Sequence, residues 1–297
     1  MKRTNILTTT ILAIAGIALT ASPAKALPPL TYNNGDIFAG FRATGGTNGA
    51  KDYLINLGSI SQFQSGGSLA DGSIHSLGLS NLGADLTTFF GSGASGAWYN
   101  RTDFLWSVSG VVKPVATIGT TAYSNQTMFW SSVEPTPGTQ SPAQHGFAAG
   151  SLGTPTNNMV AVMNSVYTAS SQTTETQAGG LFQDSTVANT YGNTTTNFNG
   201  VQRFFTLSAF KPVEGILGDG LGGSSTPQVL DLWQLNPGAT GNGTLLGGFE
   251  IDNTGNISFS SNIAVFAAPE PASIAMLTSG FLVLVGRRRR AARAVRA

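Results

Sequence analysis

The chain of 297 residues contains no cysteine and only two histidines. Without cysteine, disulfides, thiolate metal sites and cysteine nucleophiles are all excluded. The histidines, His75 and His145, lie far apart in polar stretches, so we predict turn residues rather than members of a zinc site or a Ser-His-Asp triad. No G-x-S-x-G sequence occurs either, and the α/β-hydrolase arrangement therefore has no support.

Charge is also scarce, at 10% of residues against a usual value of about 25%. The basic residues gather at the chain ends, and residues 27–268 hold six basic against 13 acidic residues, a net charge of −7. Such an acidic body offers no basic surface to a phosphate backbone, so we expect no nucleic-acid partner. Abundant glycine, serine, threonine and asparagine favour an extracellular β-rich protein over a cytosolic helical one.

The N-terminus has the layout of a secretory signal peptide. The basic residues Lys2 and Arg3 precede an apolar stretch over residues 6–19, and Ala24 and Ala26 occupy the two small-residue positions that signal peptidase reads. We predict export through the Sec machinery and cleavage by signal peptidase after residue 26. An uncleaved N-terminal anchor is the alternative.

The C-terminus carries a short apolar run with a strongly basic end. The run from Ala272 to Gly286 is 15 residues long, about 22 Å as a helix, against a hydrocarbon core of about 30 Å. It spans the inner membrane only if its flanks reach the headgroup regions. The positive-inside bias predicts cytoplasmic retention of the four arginines that follow, Arg287, Arg288, Arg289 and Arg290.

Two prolines flank Glu270 directly before this run. Pro269 and Pro271 keep the tripeptide extended, because each proline lacks a backbone donor and restricts its predecessor. The order of Pro-Glu-Pro, short apolar helix and arginine cluster resembles the C-terminal sorting signal of PEP-CTERM proteins, exported by Gram-negative bacteria that often make exopolysaccharide. The resemblance implies that an exosortase, a membrane-embedded cysteine transpeptidase, recognises Pro269, Glu270 and Pro271 and removes the helix and tail. A permanent single-pass anchor is the alternative.

The segment between the two ends shows short alternating apolar runs separated by turn residues. Period-two runs include residues 36–43 (DIFAGFRA), 52–58, 104–108, 159–163 and 203–210. This pattern predicts at least eight strands in a mainly β fold, an antiparallel β-sandwich or jelly-roll-like body. Several stretches (GDIFAGFRATGG, DYLINLGS, NLGADLTTFFG, WSVSG and LDLWQLNPG) resemble uncharacterised bodies that precede PEP-CTERM tails, a resemblance that implies no activity.

One short helix and a final group of strands complete the predicted body. In LSNLGADLTTFFG, residues 79–91, the apolar residues have helical spacing, with Ser80 as the N-cap and Gly91 as the end. Residues 227–260 predict three consecutive strands joined by Asn-Pro-Gly and Asp-Asn-Thr-Gly-Asn turns, whose residues accept positive φ. The last strand leads directly into the sorting segment.

Motifs for chemistry are weak in this body. Residues 218–223 (GDGLGG) match G-x-G-x-x-G, but Pro227 and serines follow where a nucleotide-binding helix is required, so we predict a loop. Paired carboxylates are available for a glycosidase, yet most acidic residues lie in turns, among them Asp71, Asp219 and Asp252. Asp and Asn in turns also suit calcium, although no EF-hand loop or nonapeptide repeat is present.

Aromatic residues offer a second kind of site, because exposed rings stack on sugars. Trp98 and Tyr99 lie in a glycine-rich stretch and are the predicted glycan contacts, whereas Trp106 and Trp233 lie within apolar strands and are predicted to belong to the core.

The sequence thus predicts three segments: a signal peptide (1–26), an exported β-rich domain (27–266) and a sorting segment (267–297). We expect a non-enzymatic structural, adhesive or glycan-binding protein, held in the inner membrane during sorting and then placed at the cell surface or in the exopolysaccharide matrix. No catalytic residue, metal or cofactor is assigned. The alternatives are a secreted glycan-acting hydrolase with paired carboxylates and a permanently anchored protein facing the periplasm.

Overall fold

The computed structural model describes the central body of the chain. The described residues are 33–91, 97–144, 174–175, 178–184, 215–216, 228–238 and 241–267. Several predicted features lie outside these ranges: Ala24, Ala26, His145, the alternating runs at 159–163 and 203–210, the glycine-rich match at 218–223, the tripeptide Pro269, Glu270 and Pro271, and the arginines at 287–290. Within the described ranges, no helix is both long and apolar enough to cross a membrane.

The described residues are mainly β-strand with one α-helix, which confirms the predicted class. The helix is α1 (Leu82–Phe90), and 3-10 turns occupy Ile60–Gln62, Trp98–Asn100 and Ile263–Phe266. The strands are β1 (Asp36–Ala43), β2 (Lys51–Ser59), β3 (His75–Ser76), β4 (Phe104–Val112), β5 (Ala116–Ile118), β6 (Thr121–Tyr123), β7 (Thr127–Val133), β8 (Thr174–Glu175), β9 (Leu181–Asp184), β10 (Gly215–Ile216), β11 (Gln228–Leu235), β12 (Thr244–Ile251) and β13 (Ile257–Ser260).

Most strands join one antiparallel sheet. Its order is β3-β13-β12-β11-β7-β4-β1-β2-β9-β8, with β10 paired to β4, while β5 and β6 form a separate hairpin. The predicted final group is confirmed, because β11, β12 and β13 pair consecutively, and Gly238 and Gly255 take the positive φ that their turns require. The strand β11 also pairs with β7, so the late part of the chain returns to the middle of the sheet.

The hydrophobic core lies between one face of the sheet and helix α1. On this face Phe41 stacks on Trp106, with ring centroids 6.0 Å apart and an interplanar angle of 15°. The helix buries Leu82, Leu86 and Phe90 completely, and Phe90 lies 4.4 Å from Phe104 between centroids. The alternating pattern of β1, β2 and β4 is explained by this contact, since every second residue points at the helix side.

The opposite face of the sheet is buried as well, which the alternation did not predict. Phe38 and Trp130 are at most 2% exposed, although they alternate with core residues. This second face also holds buried polar residues, including Ser109 and Asp231. The predicted burial of Trp106 and Trp233 is confirmed, but Trp233 lies on this second face, opposite Trp130 in the register.

Helix α1 confirms the predicted helix and its end but not its start. Gly91 is the C-cap, with φ +118°, and its N–H donates to the Thr87 carbonyl at 3.1 Å. The predicted N-cap Ser80 is wrong: Asn81 occupies that position, in a left-handed conformation at φ +70° and with no side-chain cap hydrogen bond. The left-handed residue turns the chain tightly just before the helix, and asparagine tolerates this conformation better than serine.

We expect Gly91→Ala to destabilise the protein by about 1–2 kcal/mol, because the added Cβ is strained at this positive φ. Urea unfolding at neutral pH measures the change. The matched control is Gly241→Ala, where φ is not left-handed and no atom lies within 4 Å of an added Cβ. Equal losses in the two variants would show that the C-cap conformation is unimportant.

Candidate functional site

A polar segment crosses the second face of the sheet directly after β7. We name residues 134–144 the strap. Its sequence, EPTPGTQSPAQ, contains three prolines, which lack backbone donors and prevent the segment from continuing as a strand. Gly138 turns the chain with φ +80°. The strap therefore lies on the sheet without extending it.

Buried side chains tie the strap to β7 and β11. The Trp233 Nε1–H donates to Ser141 Oγ at 3.0 Å, and Ser132 Oγ donates to the Pro142 carbonyl at 3.0 Å. The Gln144 amide donates to the Ser131 carbonyl at 3.0 Å. Without these hydrogen bonds the buried polar groups would lower the stability of the folded state.

Two buried carboxyl groups fix the ends of the strap turn. Glu134 Oε2 accepts the Gly138 N–H at 2.6 Å, and Asp231 Oδ2 accepts the Ser141 N–H at 2.7 Å. Glu134 is 6% exposed and Asp231 is fully buried. The pair therefore joins the strap to β11 across 97 positions of sequence.

The remaining oxygens of the two carboxyls, Glu134 Oε1 and Asp231 Oδ1, are buried and have no hydrogen-bond partner among the described residues. Two neighbouring buried carboxylates that both carry a charge repel each other, so the neutral form of one of them is favoured. Burial and then the neighbouring Asp231 carboxyl raise the pKa of Glu134 to about 9. Burial likewise raises the pKa of Asp231.

This arrangement differs from the paired carboxylates of a glycosidase. Those two groups stand about 5–10 Å apart on either side of the scissile bond, whereas Glu134 and Asp231 are shielded from solvent and accept backbone N–H groups of the strap. Their chemistry in this state is to hold a proton and two backbone amides. No group of three or more His, Cys, Asp or Glu side chains that suits a metal ion occurs in the described ranges.

The predicted glycan contacts lie at the end of helix α1. The prediction that Trp98 presents an exposed ring is wrong, because the side chain is 1% exposed. The backbone N–H of Trp98 donates to the Gly91 carbonyl at 3.2 Å, which brings the chain back to the end of the helix. The Trp98 ring contacts Phe104 edge-on. Tyr99 packs edge-on against Trp98 and is only half-buried.

Other residues singled out in the sequence lie in surface turns. Asp71 accepts the Ser73 N–H at 2.8 Å, and Asp252 accepts the N–H groups of Thr254 and Asn256. Both are therefore turn-forming carboxylates, as predicted. His75 differs slightly from its prediction, since it belongs to the two-residue strand β3 and contacts Asp71 through Nε2 at 2.7 Å.

A second polar cluster, centred on Arg101, was not found by sequence reasoning. The guanidinium donates to both carboxylate oxygens of Asp103, at 2.8 and 3.0 Å. It also donates to three backbone carbonyls, those of Gly45, Thr47 and Phe90. Because every contact is intramolecular and the residue is buried, the cluster fastens a loop to the end of helix α1.

The comparisons with known proteins give no relative. No protein-family model matches the chain, and neither a curated protein nor a solved structure is significantly similar to it. The function must therefore be argued from the residues. For Asp231 one signal was visible, a lone carboxylate inside the apolar run VLDLWQL; for Glu134 and Arg101 the partners are distant in sequence, and no local pattern marks them.

Proposed function

We propose that the chain is an exported protein of the cell surface or exopolysaccharide matrix, sorted by its C-terminal segment. A signal peptide ending at Ala24 and Ala26 carries the body across the inner membrane through the Sec machinery. An exosortase then recognises Pro269, Glu270 and Pro271, and the apolar helix and arginine tail are removed. The remaining body, a β-sandwich or jelly-roll-like domain, serves as a structural, adhesive or glycan-binding component.

The order of segments at the C-terminus carries this proposal. Pro269, Glu270 and Pro271 directly precede the apolar run 272–286, and four arginines follow it. Strand β13 is followed by the 3-10 turn Ile263–Phe266, and Phe266 is only 4% exposed. Pro269 comes three residues after this buried ring, so the tripeptide follows the body closely.

The chemistry of the described body also supports a binding or structural role. The strap lies over β7 and β11 on the second face of the sheet, and the buried carboxyls of Glu134 and Asp231 are not accessible to a polymeric substrate. The net charge of −7 over residues 27–268 suits a protein that stays soluble outside the cell without binding acidic polymers by charge.

Intact-mass spectrometry and cell fractionation test the proposal directly. In cells with the exosortase we expect a surface or matrix form lacking residues 1–26 and the arginine tail. Cells without the enzyme should accumulate a membrane form that retains the tail. An unchanged C-terminus in both strains would reject sorting and favour a permanent anchor. Release of products from a panel of polysaccharides would instead favour the hydrolase.

We expect Glu270→Ala to abolish processing and leave the body folded, since the change touches none of the described strands or core residues. Immunoblots of fractions and the circular dichroism spectrum of the purified protein measure the two effects. Thr278→Ala, within the apolar run of the same segment, is the matched control and should be processed normally. Normal processing of Glu270→Ala would exclude recognition of the carboxylate in the tripeptide.

A further inference from the structure

The strap touches the last described residue of the body. A Cβ added at Gly138 would lie 2.5 Å from the backbone nitrogen of Ala267 and 2.6 Å from its Cβ. The two backbones are therefore packed together with no room for a side chain at Gly138. Ala267 is otherwise exposed, so Gly138 supports the chain from one side where it leaves the body.

A buried ring anchors the same stretch from below. Phe266 packs over Gly248 of β12, where an added Cβ would lie 3.1 Å from Phe266 Cε2. The Ala267 N–H donates to the Ala264 carbonyl at 3.3 Å. The direction in which the chain leaves the body is thus set by two contacts, the Phe266 ring in the fold and the Gly138 backbone beside it.

The carboxyl pair determines where Gly138 lies. Glu134 Oε2 accepts the Gly138 N–H at 2.6 Å, and Asp231, in the middle of β11, accepts the Ser141 N–H at 2.7 Å. The left-handed φ of Gly138 completes the turn between them. The two carboxyls therefore hold both ends of the turn whose Gly138 backbone contacts Ala267.

We propose that Glu134, Asp231 and Gly138 are positioning residues that hold the C-terminal junction, residues 262–267, and that this hold on the junction speeds processing at the sorting tripeptide. The effect on processing rests on the proposed function, since it requires that the tripeptide, which starts two residues after Ala267, is a sorting signal. The holding of the junction concerns the body alone. Each effect is therefore measured separately.

Hydrogen exchange of the full-length protein in detergent tests the holding of the junction. We expect Gly138→Ala to raise the exchange rate of residues 262–267 at least tenfold and leave that of residues 104–112 unchanged. Glu134→Leu, which removes the acceptor, should act in the same direction. Glu134→Gln should preserve protection, since its amide oxygen accepts the Gly138 N–H.

If Gly138→Ala fails to fold, Phe266→Ala tests the same junction from the other side and should raise exchange over 262–267 alone. Gly241→Ala is the neutral control. Unchanged exchange at 262–267 in folded Gly138→Ala and Glu134→Leu would overturn the proposal.

Processing in cells tests the presentation of the tripeptide. With normal export levels, we expect Gly138→Ala and Glu134→Leu to slow the appearance of the processed form several-fold in pulse-chase experiments, and Glu134→Gln to be processed at the normal rate. Faster exchange with unchanged processing would overturn the link to sorting. An unprocessed wild-type chain would instead reject the proposed function, while the exchange data still decide whether the carboxyl pair holds the junction.

Discussion

Replacement of Arg101 by methionine is expected to destabilise the protein by about 2–3 kcal/mol. Methionine keeps part of the side-chain volume but removes every donor. The Asp103 carboxylate and the carbonyls of Gly45, Thr47 and Phe90 then lose their shared partner. Because the guanidinium is buried, methionine gives the carbonyls beside it no replacement donor, whereas the Asp103 carboxylate, 33% exposed, stays partly hydrated.

Arg101→Lys should recover only part of this loss, since an ammonium group cannot reproduce the planar two-point contact with Asp103. Urea unfolding at neutral pH measures all the variants. The control is Lys51→Met, which removes the Lys51–Asp184 ion pair, 2.9 Å long with both side chains 33% exposed. An exposed pair of this kind contributes at most about 1 kcal/mol. A similar small loss for Arg101→Met would contradict a fastening role.

The stability of the wild-type protein is expected to fall as pH rises from about 5 to 9. The folded chain keeps Glu134 protonated, since the raised pKa of this carboxyl holds the proton up to about pH 9. The unfolded chain releases it near the ordinary value of 4.5. Between these values the folded state holds more protons, so each such proton lowers stability by up to about 1.4 kcal/mol per pH unit.

Glu134→Gln should flatten this dependence. Its amide supplies the donor that the proton supplies in the wild type, so the variant should match the wild type near pH 5 and exceed it by more than about 1 kcal/mol at pH 8. Some slope remains, because burial also raises the pKa of Asp231 and of Glu250. Urea midpoints at four pH values measure the difference.

Asp71→Asn is the matched control for the pH series. The Ser73 N–H and then His75 lower the pKa of this exposed carboxyl, so it titrates below the tested range and its removal should leave the slope unchanged. A wild-type stability that rises between pH 5 and 8, or an unaltered slope in Glu134→Gln, would exclude a protonated Glu134 in the folded state.

Local patterns in the sequence predicted the strands and the helix correctly where regularly spaced apolar residues form the face that packs on the core. The alternation in β1, β2 and β4 and the helical spacing in α1 depend only on near neighbours. The turns at Gly238 and Gly255 were predictable because few residues accept positive φ. The start of α1 was not, since Asn81 and Ser80 are both good caps and the direction of the incoming chain selects between them.

The predicted exposure of the Trp98 ring was wrong for a different reason. A glycine-rich stretch around Trp98 favours a surface loop, but the ring itself is buried against Phe104. Likewise Trp130 is buried on a face that period-two patterning alone would leave to solvent. Burial depends on what packs over a residue, and that is set by segments far away in the chain.

By itself the sequence determined the mainly antiparallel β class, the helix and the final three strands, because these follow from local periodicity and turn chemistry. The order of charged and apolar segments gave the hypothesis of two terminal sorting signals. Only the tertiary structure brought Glu134 to Asp231 and Gly138 to Ala267. Pairing of β7 with β11 joins residues about a hundred positions apart, and no local pattern encodes which strands become neighbours.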